Sequence, residues 1–552
     1  MKSDLVQSET TPLLAGSSQT DDTSTSSTGD DGPIQDVAIP NWQLAGLYAT
    51  HTLSMWNSRS YEFAAVLFTT SAYPHTLTVA SLRGLSANLA SLLFAPAVGR
   101  WCNRHASRLR PLQLCIVFQG VCIAVACLGW TLIVQRNGYH NDAARMDRDE
   151  GVELQPTWLK PAIISAVIVL GMLERLSWVG NVAIIERDWV PLLAHDTTRP
   201  ALHILNANVK RIDLITKLVA PLAVSAFVLW SKDLVASALL IAALQATVIP
   251  GVIMASRVWH SSTALQSEKD IQADIDVHAD TAHPFRSLTK KFTTWFDLLR
   301  SYSSSSVVLP SISWALQPAS VLTLSASMMV YLLSIDFPLE HITLARTLST
   351  GVEISSTILT PLLISFLRSR QKQPSALRSG DKTHHLKPLI FVGLLGLSWQ
   401  LLMLIPAVAS LLILPTLPTD PTKAFPILTK VLLISLGLSR PGPFAYALVE
   451  QQLVQVTVAP SKRVEFTGTE MALLSLSELC RWGLTGVFGK PEQFKGVACG
   501  SFATIGIAAG LFWWWTWRWR ERLSKGEVAG EAANEAEVEP ENMEAERERL
   551  LE

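Results

Sequence analysis

The chain has 552 residues, 49% of them hydrophobic and only 16% charged, with a formal net charge of −1 and a mean hydropathy of +0.28. Water-soluble domains usually carry nearer a quarter charged residues, and a near-neutral balance lacks the basic excess that nucleic-acid binding requires. The six cysteines form no C-x-x-C pair and most sit inside apolar runs, so they read as small buried hydrophobes rather than as a disulfide frame or zinc site.

Residues 1–39 are rich in Ser, Thr and Asp and read as a disordered cytosolic tail. Their polarity leaves no cleavable signal peptide, so the first apolar helix is expected to direct membrane insertion. From about Leu44 to Trp519, apolar runs of bilayer-crossing length recur, separated by charged loops. Runs of roughly 20 apolar residues match the ~30 Å hydrocarbon core. Roughly twelve spans are expected, centred near Ser60, Leu89, Val125, Val169, Pro221, Ala243, Leu322, Ser355, Leu402, Leu433, Ser477 and Gly510. The longest polar interruption, residues 260–306, separates spans six and seven. The expected architecture is therefore an all-α membrane protein. An N-terminal six-helix half (40–259) and a C-terminal six-helix half (307–520) are joined by a cytosolic linker, with a solvated cytosolic tail at 521–552.

Loop charge orients the spans. Arg100, Arg104, Arg108 and Arg110 follow span two, six cations lie between Arg368 and Lys387, and Arg518, Arg520, Arg522 and Lys525 follow the last span. The loop from Asp142 to Glu153 is acidic. Positive and non-positive loops alternate, which places both tails in the cytosol. The tryptophans at 513, 514, 515, 517 and 519 fit an interfacial aromatic belt. Two six-helix halves with a central linker are the pattern of a major facilitator transporter. The segment from Gly99 to Arg108 resembles that superfamily's G-x-x-x-D-x-x-x-R loop, with Asn103 in place of the acid.

Ionisable groups inside a span are costly unless they face a cavity or a partner. Asn57, Ser58, Arg59 and Glu62 occupy span one, with Glu62 one helical turn beyond Ser58. Their oxygens suit a divalent cation, or Glu62 simply pairs with Arg59. Glu174, Arg175 and Asn181 lie in span four, and Glu186, Arg187 and Asp188 at its end read as part of a salt-bridge gate. Lys210, Arg211 and Asp213 enter span five, as gate members or as charges snorkelling to water. Span seven offers Ser325, Ser327, Met328 and Met329. Glu353 stands alone among Ser and Thr in span eight. Glu470, Glu478 and Arg481 lie in span eleven, where Glu478 and Arg481 are spaced to pair. No Walker A, HExxH or GxSxG sequence occurs, so neither an ATP-driven motor nor an enzyme is signalled.

Several of these stretches resemble the ferroportins, solute carrier family 40. Thr52-Leu53-Ser54-Met55-Trp56 with Arg59 and Phe63-Ala64 is similar to their first helix. Glu186-Arg187-Asp188-Trp189-Val190 resembles their span-four exit. The segment from Asn206 through Asp213 to Ala220-Pro221-Leu222-Ala223 resembles their span-five signature. Gln452, Arg463, Gly468 and Pro491-Glu492-Gln493-Phe494 follow the family's spacing near spans ten and eleven. The resemblance implies the major facilitator fold, alternating access, export of Fe(II) from the cytosol with the metal as cargo rather than cofactor, and one metal site per half. Ser58 stands at the family's metal-binding Asp, Glu62 at its His, Ala326 at its span-seven Cys and Arg481 at its span-eleven His. Arg has no free lone pair to offer a metal, so the second site is expected to be absent. Glu62, with Ser58 or Asn57, is the expected metal contact, and Arg187, Asp188, Arg211 and Asp213 the expected cytosolic gate. The family's span-ten acid is replaced by Ala447. The alternatives are the same fold carrying an anion or metal chelate, recruited by Arg481, and a non-transporting membrane sensor.

Both tails match the acidic dileucine pattern read by clathrin adaptors, through Glu9 with Leu13-Leu14 and through Glu546 with Leu550-Leu551. The expected partners are the lipid bilayer, a metal-ion substrate and such adaptors, with no nucleic acid. The expected location is a vacuolar or endosomal membrane, or the plasma membrane.

Overall fold

The computed structural model describes residues 39–73, 78–134, 158–195, 200–266, 296–324, 328–370 (apart from 330, 333, 334, 336 and 338), 382–414, 424–488 and 493–524. Among these residues there is no β-strand. The helices are α1 (Asn41–Ala72), α2 (Thr78–Asn103), α3 (Leu109–Ile133), α4 (Leu159–Ile184), α5 (Val190–His195), α6 (Leu202–Ser231), α7 (Leu234–Leu244), α8 (Val248–Ser261) and α9 (Thr263–Gln266). They continue with α10 (Val308–Leu316), α11 (Leu339–Arg370), α12 (Lys382–Ile413), α13 (Ala424–Ser439), α14 (Pro441–Thr457), α15 (Arg463–Val487) and α16 (Phe494–Ser524).

Eight spans among the described residues have both the length and the hydropathy to cross a bilayer. They correspond to the expected spans three to six, eight to ten and twelve. The expected spans one, two and eleven are the long helices α1, α2 and α15, which carry more polar residues. In α1 the buried face holds Gln43, Thr50, His51, Ser54, Asn57, Ser58 and Ser60. The outward surface is apolar: α2 exposes Leu82, Leu85, Leu89, Leu93 and Phe94, and α3 exposes Leu114, Val117, Phe118, Val121, Val125, Leu128 and Leu132. Lipid favours this inversion, because hydrocarbon offers polar groups nothing to bond to.

Three expected spans are interrupted. Span seven is not one continuous helix about Leu322: α10 ends in the 3-10 turn Gln317–Ala319, and residues 320–324 are non-helical. Pro318 contributes no N–H there. Span six is α7 and α8 joined by the 3-10 turn Gln245–Thr247. Span ten is α13 and α14, separated at Arg440-Pro441. Between α6 and α7 the chain turns in two residues. Lys232 takes the left-handed conformation (φ 53°), and the Asp233 side chain caps α7 by accepting from the Val235 N–H at 2.8 Å. The Trp belt is divided by helical periodicity. Trp513, Trp514 and Trp517 face outward, whereas Trp515 turns inward, donates to the Ser306 carbonyl at 2.7 Å and stacks on Phe512 and Trp519.

Apolar packing forms two clusters centred on α1–α9, one around Leu112, Ile184 and Trp189 that also takes in Val464 of α15 and one around Phe68, Ile123 and Trp130. Two more lie within the later helices, around Leu332 and Leu436 and around Tyr446 and Phe512. The two sets of helices meet most closely where α2 crosses α15. A Cβ on Gly468 would lie 2.5 Å from the Ala95 carbonyl oxygen, and one on Gly99 2.7 Å from the Val464 carbonyl oxygen. Backbone, not a movable side chain, fills that space. Gly468→Val should therefore separate α2 from α15 at an overpacking cost of about 1–3 kcal/mol. The check is a thermal unfolding scan of the purified protein. The midpoint should fall for Gly468→Val and stay unchanged for Gly506→Ala, whose Cβ meets no atom within 4 Å.

Candidate functional site

Beneath α1 lies a network of neutral polar groups around one carboxylate. The Ser58 hydroxyl donates to Glu174 Oε1 at 2.8 Å, and Gln119 Nε2 donates to the same oxygen at 3.1 Å. Gln119 Oε1 in turn accepts from Ser54 (3.0 Å) and Asn181 (2.9 Å). Three helices, α1, α3 and α4, thus contribute oxygen donors around Glu174, and no arginine or lysine lies within ion-pair distance of it. Asn57 points elsewhere and bonds Thr247 at 3.0 Å.

A second cluster is dominated by charge. Arg59 pairs with Glu62 at 2.9 Å and with Asp213 at 2.8 Å, and Lys210 reaches Asp213 at 3.6 Å. The Glu62 side chain is 64% exposed. Arg175 and Lys217 also lie within electrostatic reach of it. Arg175 rests over the Trp178 ring at 4.4 Å. Lys217 is exposed, with no carboxylate in ion-pair distance, and lies near Glu353 and Arg440. Those two pair with each other at 2.6 Å.

The third arrangement closes one end of the molecule. A π-helical turn, Ile185–Trp189, follows α4. Its wider pitch sends consecutive side chains to different partners, a feature frequent at functional sites. Arg187 donates to Glu450 at 3.0 Å, to Glu470 at 2.9 Å and to the Gln451 carbonyl at 3.1 Å. Asp188 accepts from Arg108 at 3.2 Å. Arg187, Asp188, Glu450 and Glu470 are all at most 4% exposed. Around them Asn206 donates to Gln455 at 2.6 Å, Gln455 donates to the Glu186 carbonyl, Asn103 donates to the Ser461 carbonyl, and Arg100 pairs with Glu465 at 3.5 Å. Every one of these contacts except Arg108–Asp188 joins α2, the π turn or α6 to α14, α15 or the segment between them. They would have to break for this end to open.

The family model described as Ferroportin1 (FPN1) matches residues 42–505. The chain belongs to the ferroportin family. It is 23% identical over 504 residues to Solute carrier family 40 member 2 of Arabidopsis thaliana, covering 86% of this chain and 90% of that protein. The crystal structure of a bacterial homologue of the iron transporter ferroportin, outward-facing with soaked iron, superposes with a TM-score of 0.66 at 19% identity, covering 86% of this chain and 99% of that one. The major facilitator proton:xylose symporter XylE superposes at a TM-score of 0.52 and 13% identity, covering 87% and 96%. The fold is thus that of a major facilitator transporter, an integral protein of a lipid bilayer.

Against this family frame, the expected metal contacts do not converge. Ser58 serves Glu174, Asn57 serves Thr247, and Glu62 is held by Arg59. Among the described residues no three His, Cys, Asp or Glu side chains cluster as a metal site. Arg481 lies over the Trp482 ring at 6.0 Å, and among the described residues no ion pair joins it to Glu478. Glu353 is not isolated: Arg440, from the joint between α13 and α14, reaches it. Of the four expected gate residues, Arg187 and Asp188 lie in the closed end. Arg211 binds Thr357 at 3.2 Å, and Asp213 turns toward Arg59. Ala326, Pro491 and Glu492 fall outside the described residues, as do Glu9, Leu13, Leu14, Glu546, Leu550 and Leu551.

Sequence reasoning did not single out Glu450, Arg440, Lys217 or Gln119. Each is one polar residue in a span that otherwise reads as apolar or as a helix end. For Glu450 the available signal was a lone acid three residues beyond Ala447, the position where the resemblance leads one to expect an acid.

Removing the Arg187 guanidinium would leave two carboxylates buried without a cation, at a cost of about 3–5 kcal/mol. Arg187→Ala should therefore open this end. On a background with the exposed Cys480 and Cys499 replaced by Ser, a cysteine introduced at the buried Val454 should be inert to a water-soluble maleimide. It should become reactive when Arg187→Ala is added; unchanged labelling would show that the ion cluster does not hold the end shut.

Proposed function

We propose that this protein moves a divalent metal ion, iron first, out of the cytosol by alternating access. Membership of the ferroportin family over residues 42–505 carries this reading, and the bacterial relative described as a homologue of an iron transporter supports the cargo. The closed end is assigned to the cytosol because it lies beside Arg100, Arg104, Arg108 and Arg110, a basic cluster of the kind that stays inside. On that assignment both tails are cytosolic, and the structure is the state shut toward the cytosol. Opening requires Arg187 to leave Glu450 and Glu470 as the two six-helix halves rock about the central cavity. The dileucine pairs in the tails favour a vacuolar or endosomal membrane, so export from the cytosol becomes storage.

Glu174 is the metal contact we assign in place of Glu62. Its carboxylate is held by neutral donors, Ser58 and Gln119, that can turn lone pairs toward a cation, whereas Glu62 is already neutralised by Arg59. Ser54, Ser58 and the Gln119 and Asn181 amides supply further oxygen donors, a set suited to hard and borderline divalent ions. Asn57 remains at the rim through Thr247.

One observation favours a second cargo class. Arg175 and Lys217 lack carboxylate partners within ion-pair distance, and Arg481 occupies the family's metal-binding His position. Cations disposed this way would attract an anionic metal chelate.

Flux into proteoliposomes distinguishes these readings, with Fe(II), Co(II), Zn(II) and Ca(II) offered in parallel. Glu174→Gln should lower metal flux about tenfold or more, the equivalent of about 1.4 kcal/mol or more of lost binding, with Glu62→Ala affecting it less. Flux that depends on added citrate, and that falls in Lys217→Ala rather than Glu174→Gln, would transfer the assignment to the chelate. Equal flux in Glu174→Gln and the unaltered protein would remove Glu174 from the mechanism.

A further inference from the structure

The closed end holds more negative charge than its arginine balances. Arg108 is matched by Asp188, but Arg187 faces both Glu450 and Glu470, and Glu186 lies on the same π turn. The two carboxylates are 1% and 0% exposed. Each gives one oxygen to Arg187 Nη2; the other, Oε1 in both cases, is buried with no hydrogen-bond partner. The two carboxylates are brought together by that shared nitrogen, at 3.0 and 2.9 Å from it. The Tyr302 and Ser311 hydroxyls face the same spot, from the segment before α10 and from α10 itself. Both oxygens are buried, and each hydroxyl carries a hydrogen that a carboxylate oxygen can accept.

The other titratable or charged groups facing the cluster are Tyr446 of α14 and Glu186 and Arg187 of the π turn. Arg463 of α15 stands near Asp188 and Arg187, but its Nε bonds the Val458 carbonyl at 2.9 Å. Tyr446 is already occupied, donating to the Pro310 carbonyl at 2.8 Å. The Tyr302 and Ser311 hydroxyls can supply hydrogens but no charge, so what this arrangement lacks is a second positive charge for two acids that share one guanidinium nitrogen.

We propose that the Glu450–Glu470 pair binds one proton as this end closes, so that closure is a proton-uptake step. The proton sits on one carboxyl and is donated to the other. Its charge, with that of Arg187, offsets both carboxylates in a site without water. Two carboxylates that share one guanidinium in a site without water repel each other, and one bound proton removes that repulsion. When Arg187 withdraws and water enters, both carboxylates are solvated and the proton returns to the side from which it came. The idea rests on the alternating-access reading for the existence of an open state. It is independent of which metal or chelate is carried.

The test uses nitroxide labels at Ala106→Cys and Ala459→Cys, two exposed positions on opposite sides of the closed end, in the full-length protein lacking Cys480 and Cys499. Electron–electron distance distributions are recorded in lipid from mildly alkaline to mildly acidic pH, with choline replacing sodium in a parallel series. Acidification should shift the population toward the short, closed distance with a slope of about one proton, whether or not sodium is present. Glu470→Gln, and separately Glu450→Gln, should hold the closed distance at every pH, because a neutral amide leaves one carboxylate matched by one guanidinium. If neither variant folds, the infrared spectrum of the unaltered protein decides. A carboxylic-acid C=O band should be present at neutral pH and should grow in step with the closed population.

Two distances that do not respond to pH, or a response that survives in both Gln variants, would overturn the proposal and leave alternating access standing. So would a shift driven by sodium instead of acid. A single distance under all conditions would overturn alternating access itself, and the proposal with it.

Discussion

One guanidinium, that of Arg187, holds together the end of this molecule where its two sets of helices meet. Its reach depends on backbone: α2 and α15 cross at Gly99 and Gly468, where no side chain intervenes, and this brings the π turn after α4 within 3 Å of α14 and α15. The π turn completes the arrangement by sending Arg187 across the interface while Asp188 turns back to Arg108. The surrounding amide network of Asn206, Gln451 and Gln455 then satisfies the remaining polar groups at the interface.

The bilayer sets the second constraint. Hydrocarbon gives polar groups no partner, so each polar residue in a span must find one inside the protein or face open space between helices. This is why α1 buries serines, asparagine and histidine while α3 presents leucine, valine and phenylalanine outward. It is also why nearly every charge in the interior is paired: Arg59 with Glu62 and Asp213, Arg440 with Glu353, and Arg108 with Asp188. Glu174 differs from these: its carboxylate is held by the neutral donors Ser58 and Gln119.

Pairing and capacity divide the labour between the parts of the molecule. Charges bound to each other across the closed end store the energy that distinguishes one conformation from another, because they can separate and be solvated when the interface opens. Groups held only by neutral donors can exchange those donors for a cation without breaking an ion pair. Glu174 is held by neutral donors, whereas Glu62 is paired with Arg59 within α1.

The family and the span pattern were legible in the chain itself. Apolar run length, loop charge and the segments around Ser54, Arg187 and Asp213 identify a ferroportin-type major facilitator protein, because bilayer thickness and the aqueous–lipid boundary act on local composition. Which acid meets which base was not legible. Helical spacing suggested Glu478 with Arg481 and left Glu353 alone, but the structure joins Glu353 to Arg440, 87 residues away, and Arg187 to acids more than 260 residues away. Periodicity fixes only the face on which a side chain stands. Its partner is set by how helices distant in sequence cross, and by the π turn and glycine contacts that decide where they cross. The sequence alone therefore determined the membrane class, the family and the residues carrying charge inside the bilayer. The tertiary structure decided which of those charges pair across helices and which stand among neutral groups.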